Sequence, residues 1–188
     1  CSSMALCPSS ATSDLEGRDS SLRPAKSGRA FVQNDKSKSM KSICVFCGSS
    51  PGANGGYAKA ARTFGELLAR NNLTLVFGGK VGLMGQLADA VLHNGGQAIG
   101  VIPEALMKKE VAHATLTRLH VVPTMHERKA LMYKLSDAFV AMPGGTGTLD
   151  ELFEVFTWLQ LGYLHKPIGL LNVEGYFNHL TAFLNHSV

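Results

Sequence analysis

The densest chemistry in the 188-residue chain lies in Pro143-Gly144-Gly145-Thr146-Gly147-Thr148-Leu149-Asp150-Glu151. Three glycines and two threonines join an apolar run to a helical pattern. Glycine lets the backbone approach a ligand closely and take positive φ. A helix that follows such a loop offers free N–H groups and the positive end of its dipole, which suits a phosphate. The hydroxyls of Thr146 and Thr148 add donors. Read from composition alone, the segment is either a phosphate loop or a tight strand–helix turn with a threonine cap. It lacks the Gly-Lys-Ser/Thr of a Walker loop. The dinucleotide fingerprint would follow the first strand, whereas this loop follows a late one, so a mononucleotide is the expected ligand.

Glu151 falls in the first turn of a helix read over Thr148–Leu161, where the dipole favours its ionised form. A carboxylate beside a phosphate loop repels the ligand unless it has a task. Cleavage of an N-glycosidic bond builds positive charge on the sugar, which a carboxylate stabilises or supplies with water. A helix-terminal glutamate of modest structural value is the alternative. Met125-His126-Glu127-Arg128-Lys129 opens the preceding helix. Its adjacent cations suit a phosphate or a purine nitrogen, or form a solvated basic face.

The elements that position these residues alternate regularly. Short apolar runs at Ser42–Cys47, Leu73–Phe77, Ala98–Ile102, Leu119–Val122, Ala138–Met142 and Ile168–Leu171 read as strands. Helical spacing appears at Tyr57–Arg70, Leu83–His93, Met125–Leu135, Thr148–Leu161 and from Tyr176 onward. Continuous apolar strands alternating with helices predict a single α/β domain, a Rossmann-like doubly wound parallel sheet. Ligands bind such sheets at the carboxyl ends of the strands. The loops Gly48-Ser49-Ser50, Gly78-Gly79 and Gly144–Thr148 all fall at that edge.

Residues 1–41 hold ten serines and little apolar periodicity, and read as a disordered leader ahead of a domain over 42–188. A transit peptide is one reading, although Asp14, Glu16, Asp19 and Asp35 are acids that such peptides avoid. Translated upstream sequence, with Met40 near the start, is the other. The net charge is +3 in residues 1–41 and +1 in the remainder. The domain thus lacks the clustered basic face of a nucleic-acid binder. No apolar run reaches membrane-spanning length. Cys1, Cys7, Cys44 and Cys47 form no disulfide framework, which points to a reducing compartment. Positions 44 and 47 face opposite ways on a strand, so they read as two buried thiols and not a redox pair. No histidine spacing suggests a metal. Trp158, Phe153 and Phe156 read as core and not as a stacking platform.

Five segments in this order carry a resemblance. They are Cys44-Val45-Phe46-Cys47-Gly48-Ser49-Ser50, Gly82-Leu83-Met84-Gly85, Gly100-Val101-Ile102-Pro103, Met125–Lys129 and Pro143–Glu151. Over residues 42–188 the chain resembles the LONELY GUY family, and its first motif is similar to the plant branch. The resemblance implies a Rossmann-like homodimer with no cofactor; the expected location is the cytoplasm, with the nucleus and, through the leader, the plastid as alternatives. The implied activity is hydrolysis of a cytokinin riboside 5′-monophosphate to free cytokinin and ribose 5-phosphate. It implies catalytic roles for Arg128 and Glu151. It implies substrate contacts from Glu110, Lys129, Gly145, Thr146, Gly147, Thr148, Leu149, Asp150 and Thr157. Relative to the family, the loop Gly78-Gly79-Lys80-Val81-Gly82 is one residue shorter, and the C-terminus is expected to be truncated. A non-catalytic nucleotide carrier on the same fold and a general AMP nucleosidase are the competing functions. A lysine decarboxylase, an older label for such chains, has no evident pyridoxal-phosphate lysine here.

Overall fold

The computed structural model describes residues 39–52, 55–79, 81–107 and 116–187. Residues 1–38 of the leader, Lys80 and Glu110 lie outside the described residues. The described chain runs β1 (Ser42–Phe46), α1 (Gly55–Arg70), β2 (Thr74–Phe77), α2 (Leu83–His93), β3 (Ala98–Pro103), α3 (Glu104–Met107) and β4 (Arg118–Val122). It continues through α4 (Met125–Leu135), β5 (Ala138–Ala141), α5 (Thr146–Gln160), β6 (Ile168–Leu170), a 3₁₀ turn (Val173–Gly175) and α6 (Asn178–Ser187). The six strands form one sheet in the order β4-β3-β2-β1-β5-β6, and every pairing is parallel.

The order reverses at β1. The chain steps outward through β2, β3 and β4, then returns to place β5 on the other side of β1. Ile43 lies opposite Leu75 on one side and Ala138 on the other. The crevice between the carboxyl ends of β1 and β5 is therefore the topological switch point, where open α/β sheets bind ligands.

Side chains alternate across β1, as pleating requires. Ile43, Val45 and Cys47 join the cluster under α1 and α2, with Leu68, Leu87 and Val91. Cys44 and Phe46 join the opposite cluster with Met132, Tyr133, Phe139 and Val155. The two thiols thus sit on opposite faces, both free and buried. Trp158 packs partly buried against the second cluster, whereas Phe153 is exposed. The expectation of core burial for Phe153 is corrected, because that residue borders an open apolar furrow beside Ile168 and Leu170 of β6.

Asp137 fixes the entry to the two central strands. Its carboxylate accepts from the backbone N–H of Lys41 at 2.9 Å and of Ser42 at 3.1 Å. The Ser42 hydroxyl lies 3.1 Å from the same oxygen, and Asp137 N–H donates to the Ser42 carbonyl. Asp137→Ala strands donors at the start of a buried strand. It is expected to lower unfolding stability by about 2 kcal/mol, read as a fall in the urea midpoint at unchanged slope.

Candidate active site

Two strand ends and two helix starts build a cleft of about 370 Å³. After β1 come Cys47, Gly48 and Ser49. After β5 come Gly145, Thr146, Gly147 and Thr148. Helix α4 supplies Met125, Arg128 and Lys129, helix α5 supplies Asp150 and Glu151, and Met84 of α2 completes the wall.

The loops are locked to each other through backbone. Gly48 N–H donates to the Pro143 carbonyl at 3.0 Å, and Leu83 N–H to the Gly48 carbonyl at 3.1 Å. Gly82 has φ +69°, and a β-carbon there would collide with the Ser49 peptide. Only glycine combines that conformation with so close an approach.

Thr124 is the N-cap of helix α4. The Thr124 hydroxyl accepts from Glu127 N–H at 3.2 Å and lies 3.2 Å from the Glu127 carboxylate. This fixes the first turn and sends the next residue, Arg128, into the cleft. Arg128 Nη2 meets Glu151 Oε1 at 3.2 Å, and both side chains are largely buried. Arg128 Nη1 donates to the Met125 sulfur at 3.2 Å. Arg128 Nε is buried without a hydrogen-bond partner. Gly78, at the end of β2, makes room for this guanidinium, since a β-carbon there would fall within it.

Lys129 is buried on the flank of the same contact. Its Nζ binds Glu154 at 2.6 Å and Asp150 at 3.1 Å. Burial pulls its pKa down, but hydrogen bonds and charges from Glu154 and Asp150 more than offset this, so it lies above its ordinary value. The Tyr133 hydroxyl donates to Glu154 as well, at 3.0 Å. Lys129 is thus a cation already neutralised by α5. A lysine meant for Schiff-base chemistry needs the reverse, a depressed pKa.

The helix after the glycine loop starts two residues earlier than its sequence suggests, at Thr146 in place of Thr148. Gly145 is the N-cap, without a side-chain hydrogen bond, so neither threonine caps the helix. Thr148 is buried, with its hydroxyl against Gly144. Consequently Glu151 lies beyond the first turn, where no acid is found, and the dipole argument for its ionisation does not hold. Burial governs instead. It pushes the carboxyl up from 4.5 to about 7, a rise that Asp150 and Glu154 reinforce and Arg128 and Lys129 partly oppose. A carboxyl balanced near neutrality can both accept and return a proton.

That shift has a signature in stability. Between 4.5 and about 7 the folded chain holds a proton that the unfolded chain has released. The favourable contribution is full below 4.5, falls as pH rises, and is gone above 7. Its ceiling is about 3 kcal/mol. Glu151→Gln carries no such titration. The stability of the variant relative to the parent is therefore expected to rise between pH 4.5 and 7.5 and level off above, read from urea midpoints. Parallel pH profiles contradict the assignment.

Of the residues marked in the sequence, Arg128, Lys129, Gly145, Thr146, Gly147, Thr148, Asp150 and Glu151 all line the one cleft. Thr157 does not. It lies further along α5, with its hydroxyl on the Phe153 carbonyl at 2.7 Å, and it borders an adjoining hollow shared with Lys129, Asp150 and Trp158. Leu149 turns its side chain into the cluster around Ala141, Leu152 and Phe177, which leaves its backbone facing the loop. Cys47, Ser49, Met84 and Met125 are cleft residues that motif reading passed over as chemistry. Ser49 alone had a signal, its place in a Gly-Ser-Ser loop at a strand end.

The family model described as "Possible lysine decarboxylase" matches residues 84–188. The chain is 52% identical over 149 residues to the cytokinin riboside 5′-monophosphate phosphoribohydrolase LOG1 of Arabidopsis thaliana, covering 79% of this chain and 70% of that protein. It is 51% identical over 149 residues to a cytokinin riboside 5′-monophosphate phosphoribohydrolase of Rhodococcoides fascians, covering 78% and 75%. Among solved structures it resembles the molybdenum cofactor binding protein of Rippkaea orientalis. That match has a TM-score of 0.60, is 26% identical, and covers 80% of this chain and 87% of that one.

Proposed function

Since this chain belongs to the LONELY GUY family of cytokinin riboside 5′-monophosphate phosphoribohydrolases, we infer that it is an N-glycosidic bond hydrolase with that activity. Water and the N6-modified adenosine 5′-monophosphate give the free base and ribose 5-phosphate. The observation that carries the mechanism is the buried Arg128–Glu151 pair facing the glycine loop.

The loop Gly145–Thr148, with the open N-terminus of α5, receives the 5′-phosphate. That anchors the sugar so that C1′ lies over the Glu151 wall of the cleft. As the C1′–N9 bond breaks, its electron pair leaves with the base and positive charge grows on the ribose ring. The Glu151 carboxylate stabilises that charge and takes a proton from the attacking water. The water oxygen bonds to C1′, and a proton returns to the departing base. Arg128 holds Glu151 in place and draws its pKa toward neutrality. Lys129 braces α4 against α5 through Asp150 and Glu154, and its ammonium borders the nucleotide.

The family assignment and the site chemistry together replace the decarboxylase description. Among the described residues the one lysine that lines the cleft is held charged by two acids.

We further propose a homodimer in the cytoplasm. An apolar furrow along α5 and α6, with Phe153, Phe156, Leu159 and Leu184, supports a second copy as its occupant. No described helix is long and apolar enough to cross a membrane.

The test supplies isopentenyladenosine 5′-monophosphate and AMP separately and follows base release by chromatography. Isopentenyladenine released well in excess of adenine is expected. Equal release makes the chain a general nucleosidase. Binding without release makes it a carrier.

A further inference from the structure

Tyr176 does not line the cleft, yet it touches the glycine loop. Its hydroxyl donates to the carbonyl of Gly144. Its ring is held edge-on against Tyr57 of α1, with centroids 5.7 Å apart, and against Phe177, 5.0 Å away. Phe177 is buried, and its N–H donates to Asn172 Oδ1 at 2.7 Å. The ring is thus packed on two sides, although the residue is 41% exposed.

The carbonyl it grips belongs to the Gly144–Gly145 peptide, which is trans. In a trans peptide the C=O and the following N–H point in opposite directions. A Gly–Gly peptide has no β-carbon to resist rotation, so its orientation must be imposed from outside. Wedging fixes Gly144 itself, since a β-carbon there would collide with Thr148 and with the Gly48 nitrogen. The peptide plane beyond it is set by Tyr176.

We propose that Tyr176 is a positioning residue for the reaction. By drawing the Gly144 carbonyl outward, it turns the Gly145 N–H into the cleft as a donor to the substrate phosphate. This rests on the nucleotide-hydrolase reading of the cleft. If the peptide turned over, a carbonyl would face the dianion in place of an N–H, and the loop would repel what it is built to hold.

Tyr176→Phe removes one oxygen and keeps the ring and its contacts. In the full chain, the Kd for ribose 5-phosphate, measured by calorimetry, is expected to rise about tenfold, the cost of losing a hydrogen bond to a charged group. KM for isopentenyladenosine 5′-monophosphate rises with it, while kcat changes less than about threefold. Binding of the unphosphorylated riboside stays unchanged. An unaltered Kd for ribose 5-phosphate overturns the proposal. Equal weakening of the riboside also overturns it, because that marks general damage. An unmodified chain that hydrolyses nucleotide while the variant matches it sinks Tyr176 alone; an unmodified chain that neither binds ribose 5-phosphate nor releases base sinks the hydrolase reading as well. A further measurement needs no variant. In the unmodified chain the Gly145 amide resonance is expected to shift on addition of ribose 5-phosphate, and a stationary resonance contradicts the role.

Discussion

Glu151→Gln is expected to lower kcat by about 10³-fold, within the range for loss of a positioned acid–base group, while nucleotide binding stays level or tightens. Glutamine preserves the shape of the side chain and can still accept from Arg128 Nη2, which lies 3.2 Å from Glu151 Oε1. The ion pair thus becomes a neutral-acceptor hydrogen bond, and the cleft keeps its walls. What disappears is the negative charge beneath the forming ribose cation and the base for water. Both matter in the transition state more than in the ground state, so the loss falls on kcat. Binding moves the other way, because a carboxylate no longer repels the phosphate dianion. Single-turnover base release together with a binding isotherm separates the two effects. Retained turnover would remove Glu151 from the mechanism and leave Arg128 without its partner.

The free enzyme should show the same group in its pH profile. kcat/KM for the parent is expected to rise through an apparent pKa near 7, the value to which burial lifts Glu151.

Much of this arrangement was legible in the residues. Continuous apolar strands alternating with helices point to a covered parallel sheet, and the three glycine loops fall at its carboxyl edge. Cys44 on β1 and Cys47 just past its end, three apart on extended chain, had to face opposite ways, and they do. Such features follow from local periodicity. The residues that escaped notice depend on distant neighbours. Gly78 and Arg128 are fifty positions apart, and nothing around either names the other. The protonation of Glu151 departs from the local expectation for a related reason. Helix position is a local property, and it suggested an ionised carboxylate. Burial is a tertiary property, and in an enclosed cleft desolvation outweighs a dipole effect that fades within one turn. The start of α5 shifted because Gly145 and Thr146 look like loop by composition, whereas the cap is set by the wedged backbone of Gly144 against Gly48. The same dependence on distant contacts hid Tyr176, whose service to Gly144 spans 32 positions.

Gly78→Ala gives the second large effect, and it acts without touching substrate. A methyl group at this position must displace the Arg128 guanidinium, whose Nη2, Cζ and Nε are the three nearest atoms to it. The obstacle is the far end of a long side chain and not backbone. The fold therefore adjusts by swinging the arginine aside, at a cost of about 1–3 kcal/mol for local overpacking. The catalytic consequence is larger. Arg128 loses its ion pair, and Glu151 loses the strongest of the influences holding its pKa down. The carboxyl then climbs above 7 and is mostly protonated in neutral solution, with no cation to orient it. A misplaced catalytic group of this kind lowers kcat/KM by about 10²-fold. Raising the pH to 9 should recover part of that loss in Gly78→Ala, because ionising Glu151 restores its charge though not its alignment. Glu151→Gln should recover nothing, having no group to ionise. If Gly78→Ala keeps full activity at neutral pH, or loses it equally at every pH, the guanidinium does not control the protonation of Glu151 and the division of labour between the two residues fails.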